Sequence, residues 1–378
     1  MQAENLIDFI RLMNTEGIGP VSFYKLIKQY GSATEALASL EKSKKVFSFQ
    51  CAEAELTKAQ RQNVQIITFE DALYPENLKR LNDAPPILYL KGNPALLKHT
   101  ANVAIVGARN ASVNGRKIAA RIAYDLTNSD VLVVSGLASG IDAAAHKGAL
   151  FAKDQKGPTI AVLGTGVDVC YPAENEQLYN QIAEQGLIVS EFCLEASAQT
   201  SNFPRRNRIV SALSLGTLVV EASINSGSLI TARLALEQGR DVFAVPGSPI
   251  EGKSAGANKL IKEGAYLVEC AEDVLEGLNL SNMQALKTYQ KQSEETKPLD
   301  KNKKEGIMHQ TKKVVRSEAE ILQAIGKSGL EQDELIRFLK EDAQSVMAEI
   351  TELELMGLVV RTNGSFLRLT KEGLRQIR

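Results

Sequence analysis

The sequence predicts an α/β protein built on a mostly parallel sheet, with an all-helical segment before it and a small helix-and-hairpin unit after it. Three observations carry this. From Val64 onward, short apolar runs closed by glycine or small polar residues recur, with helix-period stretches between them. Residues 1–62 hold helical patterns and no strand run. From Ser317 the chain reads as three helices followed by two alternating runs around an Asn-Gly pair.

The chain of 378 residues is long enough for two or three domains, and its net charge is −1. Affinity for nucleic acid must therefore come from a local basic patch, not from a global field. The four cysteines (Cys51, Cys170, Cys193, Cys270) are scattered, which argues for a reducing compartment and against a disulfide framework or a zinc site. No leader pattern opens the chain and no apolar run approaches the roughly 20 residues that span a bilayer. The expectation is a cytoplasmic, soluble protein with no metal and no cofactor.

In the helical segment, 1–62, Glu16-Gly-Ile-Gly-Pro20 followed by Val21–Tyr30 has the form of a helix-hairpin-helix turn. Such a turn can offer backbone N–H groups to a phosphate, or can simply join two packed helices. In the central domain, 63–278, the strands are expected at Val103–Gly107, Val131–Gly136, Thr159–Gly164, Leu187–Ser190, Thr217–Glu221 and Asp241–Gly247. Helices are expected over 115–127, 141–152, 174–185, 205–215 and 228–239. Ligands of such sheets bind beyond the carboxyl ends of the strands, where the Gly- and Ser-rich turns fall. Residues 279–316 are polar and charged and read as a flexible linker. In the final unit, 317–378, Ser317-Glu-Ala-Glu320 is a capping box, and Leu358–Arg361 and Phe366–Leu369 flank the turn at Asn363-Gly364. This is a winged-helix pattern. Its third helix, Ala343–Met356, carries Glu349, Glu352 and Glu354 and no Lys or Arg, so a protein contact fits it better than a DNA groove.

The segment Asn202-Phe-Pro-Arg-Arg-Asn-Arg-Ile-Val-Ser211 holds the densest basic cluster of the central domain. Arg205, Arg206 and Arg208 crowd the start of a helix, where the dipole already favours anions, so a bound anion would relieve them. Phe203 beside them points to phosphates and bases together. Arg109, ending the first strand of the 103–107 run, reads as a phosphate ligand or as a salt-bridging surface arginine.

Other motifs fail their chemistry. Gly107-Ala-Arg109 puts an arginine where a dinucleotide loop needs its second glycine, and no acidic residue closes the next strand. Gly247-Ser-Pro-Ile-Glu-Gly252-Lys253-Ser254 matches a phosphate loop, but Pro249 removes an N–H and Gly256 interrupts the following helix. With Glu221 as a metal-holding acid, that match still leaves a nucleotide-acting enzyme as the alternative. His146 is expected on the exposed or rim part of its helix. No Gly-x-Ser-x-Gly elbow and no metal-ligand spacing occurs. Binding is favoured over catalysis.

The central domain resembles the DNA-processing protein A family (DprA, also called Smf). The matching residues include Gly107-Ala-Arg109, Ser135-Gly136 with Gly140-Ile-Asp142 and Phe203-Pro-Arg-Arg-Asn-Arg-Ile209. They continue through Ser226-Gly-Ser-Leu-Ile-Thr231 and Val242-Phe-Ala-Val-Pro-Gly247. The resemblance implies an extended Rossmann-like sheet, a helix-hairpin-helix (SAM-like) N-terminal domain and a winged tail. It implies a non-enzymatic homodimer that binds and protects single-stranded DNA and loads RecA during natural transformation. Carried onto this chain, Arg109 becomes a backbone ligand, Phe203 the stacking platform, and Arg206, Asn207 and Arg208 the surroundings of the phosphates. Arg205, Ser112, Ser139 and Ser228 complete the expected DNA-binding set. Leu260, Ile261 and Leu267 fall where the family makes its dimer and RecA contacts. Some members carry a lysine shortly before the phenylalanine; this chain has Gln199-Thr200-Ser201 there.

Overall fold

The computed structural model describes residues 3–155, 157–250 and 252–280, and within the C-terminal region 321–322, 325, 330–331, 335, 346, 350, 353–354, 358–362 and 366–370. The chain divides into two units, Met1–Gln290 and Lys291–Arg378.

The first unit opens with four helices, α1 (Ala3–Met13), α2 (Pro20–Tyr30), α3 (Ala33–Leu40) and α4 (Phe49–Arg61). Pro20 stands at the first position of α2, where a missing N–H costs nothing. Ser32 and Ser48 cap α3 and α4 by accepting from Glu35 N and Cys51 N. Phe9, Phe23 and Tyr24 pack with Phe69, each ring 5.2–6.3 Å from its neighbours. The four helices thus share one apolar core with Tyr89, Leu163 and Tyr179 of the sheet layer.

The sheet layer then follows in order: β1 (Val64–Thr68), α5 (Glu76–Lys79), β2 (Ile87–Gly92), β3 (Asn102–Gly107), α6 (Val113–Asn128), β4 (Leu132–Ser135), α7 (Ile141–Gln155) and β5 (Thr159–Val162). Next come α8 (Glu176–Gln185), β6 (Leu187–Ser190), α9 (Asn202–Ala212), β7 (Gly216–Val220), α10 (Gly227–Glu237) and β8 (Asp241–Ala244). The unit closes with α11 (Ala255–Lys262), β9 (Tyr266–Leu267) and α12 (Ala271–Gly277). The strand order is β1-β2-β6-β5-β4-β3-β7-β8-β9. The strands from β3 to β9 pair in parallel, and β1 and β2 add antiparallel pairings at one side. The inner strands are buried throughout except at Gly107, the last residue of β3, as a sheet covered on both faces requires.

Six strands lie where the sequence places them, within two or three residues. β1, β2 and the two-residue β9 were not expected: β1 mixes exposed and buried positions and β9 is a short edge strand, whereas β2 does carry a buried apolar run, Ile87–Leu90, which the sequence reading missed. α9 begins at Asn202, three residues earlier than expected, because Pro204 sits in the first turn, whose N–H groups have no helical partner. Leu280 is buried against α6 and α12, so the folded unit runs on past residue 278.

The second unit holds β10 (Leu330–Glu331), β11 (Val359–Thr362) and β12 (Phe366–Leu369), in the order β10-β12-β11. The β11–β12 register pairs Val359 with Leu369 and Thr362 with Phe366, the two expected hairpin strands. Ile321, Ile325, Leu335, Val346, Ile350 and Leu353 form its core. The rest of the expected linker (281–316), the capping box at Ser317–Glu320, the Asn363-Gly364 turn and most of Ala343–Met356 lie outside the described residues.

Candidate nucleic-acid interface

The chain winds outward in both directions from β3: through β4 and β5 to one side, through β7 and β8 to the other. The carboxyl ends of β3 and β7 therefore bound the crevice where such sheets take ligands. A cavity of about 650 Å³ opens there, and among its walls are Arg109, Phe203, Arg206, Asn207, Ser228 and Lys253.

Phe203 is held half-buried by the first turn of α9. The Arg109 guanidinium lies 5.0 Å from its ring centroid and the Tyr171 ring 5.5 Å from it. Tyr171 is exposed, and the sequence reading missed it; the signal available was an aromatic before Pro172 in the loop after β5. Arg109 itself is exposed at the end of β3. Its loop is shaped by Gly140, whose φ of +80° and close approach to the Ala108 and Arg109 carbonyls exclude any side chain. Ser226 caps α10 and shares a 2.7 Å hydrogen bond with Ser228, so the N-terminus of this helix forms part of the same wall.

Arg206 lines the cavity floor but is only 4% exposed. Its Nη1 donates to the carbonyl oxygens of Gly136 and Val162, and its Nε donates to Asn207 Oδ1 at 3.2 Å. Burial, with the nearby charge of Arg109, pulls its pKa down to about 10, and the charge of Asp142 opposes the fall. Asp142 is buried as well and accepts from Gly136 N and Ala138 N; burial raises its carboxyl and Arg206 counters the rise. The role expected for Arg206 around the phosphates is thus replaced by a brace: its donors tie the ends of β4 and β5 together.

Arg208 is also turned from the expected role. It points to the other side of α9, where Nη2 meets Glu191 Oε2 at 2.6 Å and Nε meets Asp83 Oδ2 at 3.0 Å. Glu191 is raised by burial and lowered by Arg208 and Arg205. Arg205 faces a separate cavity of about 440 Å³ that Pro20 and Pro86 also line. There it lies 5.2 Å from the Phe192 ring centroid and 3.5 Å from Glu191. The crowd of charge at the helix start is therefore met largely from within the protein.

Ser112 and Ser139 do not line the cavity either. Ser112 caps α6 through Gly115 N, and its own N–H and Oγ–H donate to Glu221, which holds a left-handed φ of 56° at the end of β7. Ser139 donates to Glu174. His146, expected at the rim, is fully buried: Thr159 donates its hydroxyl to Val133 O and so accepts from His146 Nδ1, which leaves Nε2 as a bare buried nitrogen. Burial, with the charge of Arg206, lowers this imidazole to about 3. Leu260 packs inward against the sheet, Ile261 is half-buried, and Leu267 is half-exposed on the edge strand β9.

No group of three or more metal-ligating side chains occurs among the described residues. Two of the amides that a phosphate cradle over Gly247–Ser254 would use are not available. Gly247 N–H donates to Asn258 Oδ1 at 3.1 Å, Gly256 N–H donates to Ala222 O at 2.7 Å, and Pro249 has none to give.

Comparison with known proteins follows the same lines. The family model described as DNA recombination-mediator protein A matches residues 65–279. Those described as the DprA-like N-terminal HHH domain and the DprA winged helix domain match residues 3–57 and 312–365. The DNA processing protein DprA of Streptococcus pneumoniae is 45% identical over 227 residues, covering 60% of this chain and 78% of that protein. Protein Smf of Escherichia coli is 35% identical over 336 residues, covering 88% and 85%. The X-ray structure of Streptococcus pneumoniae DprA superposes with a TM-score of 0.57 at 36% identity, covering 68% of this chain and 98% of that one. The Helicobacter pylori DprA structure, described for its single-stranded DNA binding mode, gives a TM-score of 0.52 at 30% identity, covering 57% and 97%.

Proposed function

Since this chain belongs to the DNA recombination-mediator protein A (DprA/Smf) family, we propose that it binds single-stranded DNA in the Phe203 cavity and mediates recombination on the bound strand. The observation that carries this reading is the pairing of Phe203 with Arg109 at the mouth of the crevice between β3 and β7. An aromatic ring stacks on any base, contributing about 1–3 kcal/mol per base without regard to sequence. A guanidinium beside it meets the phosphate that every nucleotide carries. Tyr171, 5.5 Å from Phe203, extends the aromatic surface for a neighbouring base. Ser228 and the N-terminus of α10 add neutral anion donors to the wall.

The same cavity is poorly equipped for catalysis, which supports a binding protein over an enzyme. Its carboxylate, Asp142, is buried and engaged by two backbone amides. By this reading the protein acts in the cytoplasm as a homodimer, protects incoming strands and loads RecA on them during natural transformation. The half-exposed edge strand β9, with Leu267 and the adjoining α11, is the surface proposed for the dimer and RecA contacts. The winged domain, whose sequence over 343–356 carries Glu349, Glu352 and Glu354 and no Lys or Arg, is assigned to a protein partner. The described residues include no helix long and apolar enough to cross a membrane.

A gel shift with single- and double-stranded oligonucleotides, run beside an ATP and nucleoside-monophosphate turnover assay, tests the reading. Preferential retardation of single strands without turnover is expected. Turnover without strand binding would replace it with the nucleotide-acting enzyme.

A further inference from the structure

Within the proposed strand-binding function the phosphate-loop match of Gly247–Ser254 plays no part, and Lys253 is left without a role. It nevertheless lines the same cavity as Phe203 and Arg109, and it comes from the segment between β8 and α11. Its Nζ donates to Asn110 O at 3.0 Å, in the loop that carries Arg109. It stands 4.0 Å from Glu221 Oε1, and its side chain is 48% exposed. An ion pair that long and that exposed contributes little, and Glu221 is already held by the Ser112 N–H and hydroxyl. An ammonium has three donors, so Lys253 keeps capacity for a ligand while Asn110 fixes its position.

The charge inventory of the cavity gives this weight. Arg206 is buried with Nη1 and Nε engaged, Arg208 is paired on the far side of α9, and Arg205 faces another cavity. The stretch before Phe203 reads Gln199-Thr200-Ser201 and offers no cation. Two accessible cations then remain among the cavity-lining residues, Arg109 and Lys253, reaching in from loops after different strands.

We infer that Lys253, on the loop between β8 and α11, is a phosphate ligand of the single-strand site and meets the backbone beside the loop that carries Arg109. The inference rests on the proposed function and adds to it a residue brought in by a loop whose sequence imitates a nucleotide-binding motif.

The test is the salt dependence of oligo-dT binding by the full chain, followed by fluorescence anisotropy, for the wild type and for Lys253→Gln, Lys253→Arg and Lys153→Gln. Lys153 is on α7, its side chain 38% exposed and paired with Asp130, and does not line the cavity. For single strands the slope of log affinity against log salt changes by about 0.7 for each phosphate contact. Lys253→Gln is expected to weaken binding severalfold and to flatten the slope by about that amount, Lys253→Arg to restore it, and Lys153→Gln to leave it unchanged. An unchanged slope in Lys253→Gln, or an equal change in Lys153→Gln, would overturn the inference while strand binding by the wild type stands. Failure of the wild type to bind oligo-dT would instead remove the proposed function, and the role of Lys253 with it.

Discussion

The guanidinium of Arg206 lies against the Cα of Gly136 and donates to that residue's own carbonyl oxygen, so position 136 has no room for a side chain. A sequence read as a cluster of phosphate-binding arginines thus contains the brace that holds the cavity floor. Asn207 Oδ1 accepts from that brace, and Phe203 stands one turn before it on α9.

Gly136→Ala pushes a methyl group into the Arg206 guanidinium. Overpacking of this kind costs about 1–3 kcal/mol, and a lowered thermal midpoint is expected. A variant as stable as the wild type would mean that Arg206 does not occupy the floor.

Arg206→Ala leaves the carbonyls of Gly136 and Val162 buried without donors, at about 1–3 kcal/mol for each. Urea unfolding should show a loss of several kcal/mol. Normal stability with a flattened salt slope of DNA binding would return Arg206 to the phosphates.

Arg208→Ala uncovers Glu191, whose side chain is only 3% exposed. Removing one partner of a buried pair costs about 3–5 kcal/mol. Adding Glu191→Gln should recover part of that loss, and the salt slope of strand binding should stay at the wild-type value. A slope that falls in Arg208→Ala would place this residue on the DNA.

His146 gives the fold a defined acid sensitivity. Its folded pKa, about 3, lies below the ordinary 6.5, so the unfolded chain takes up a proton that the folded chain refuses. The stabilisation is full above pH 6.5 and is lost as pH falls towards 3, at up to about 1.4 kcal/mol per pH unit. Unfolding free energy measured against pH for the wild type and for His146→Gln should differ by this component. Parallel curves below pH 6 would show that the imidazole titrates normally.

The central strands were legible because parallel, doubly covered strands are continuous apolar runs, as Val103–Val106 and Leu218–Val220 are. β1 was not, because an antiparallel side strand such as Val64–Thr68 mixes exposed and buried positions; β2 was missed although its run Ile87–Leu90 is apolar and buried throughout. The site was legible in its residue types and its place on the sheet. Phe203, Arg109, Asn207 and Ser228 do converge, since the topology fixes which loops meet beyond β3 and β7. What sequence could not give was the direction of each arginine. On a helix, Phe203 and Arg206 share one side while Arg205 and Arg208 share another, and the buried acceptors at Gly136, Val162 and Glu191 that claim Arg206 and Arg208 come from distant parts of the chain. Likewise Lys253 and Tyr171 reach the cavity from loops that no local pattern ties to α9.

Phe203→Ala, titrated with fluorescent oligo-dT by anisotropy across a salt series, tests the central claim most directly. The expected result is a loss of about 1–3 kcal/mol, roughly five- to 150-fold in affinity, with the wild-type salt slope retained because no charge has been removed. Wild-type affinity in Phe203→Ala would contradict a strand held by stacking in this cavity.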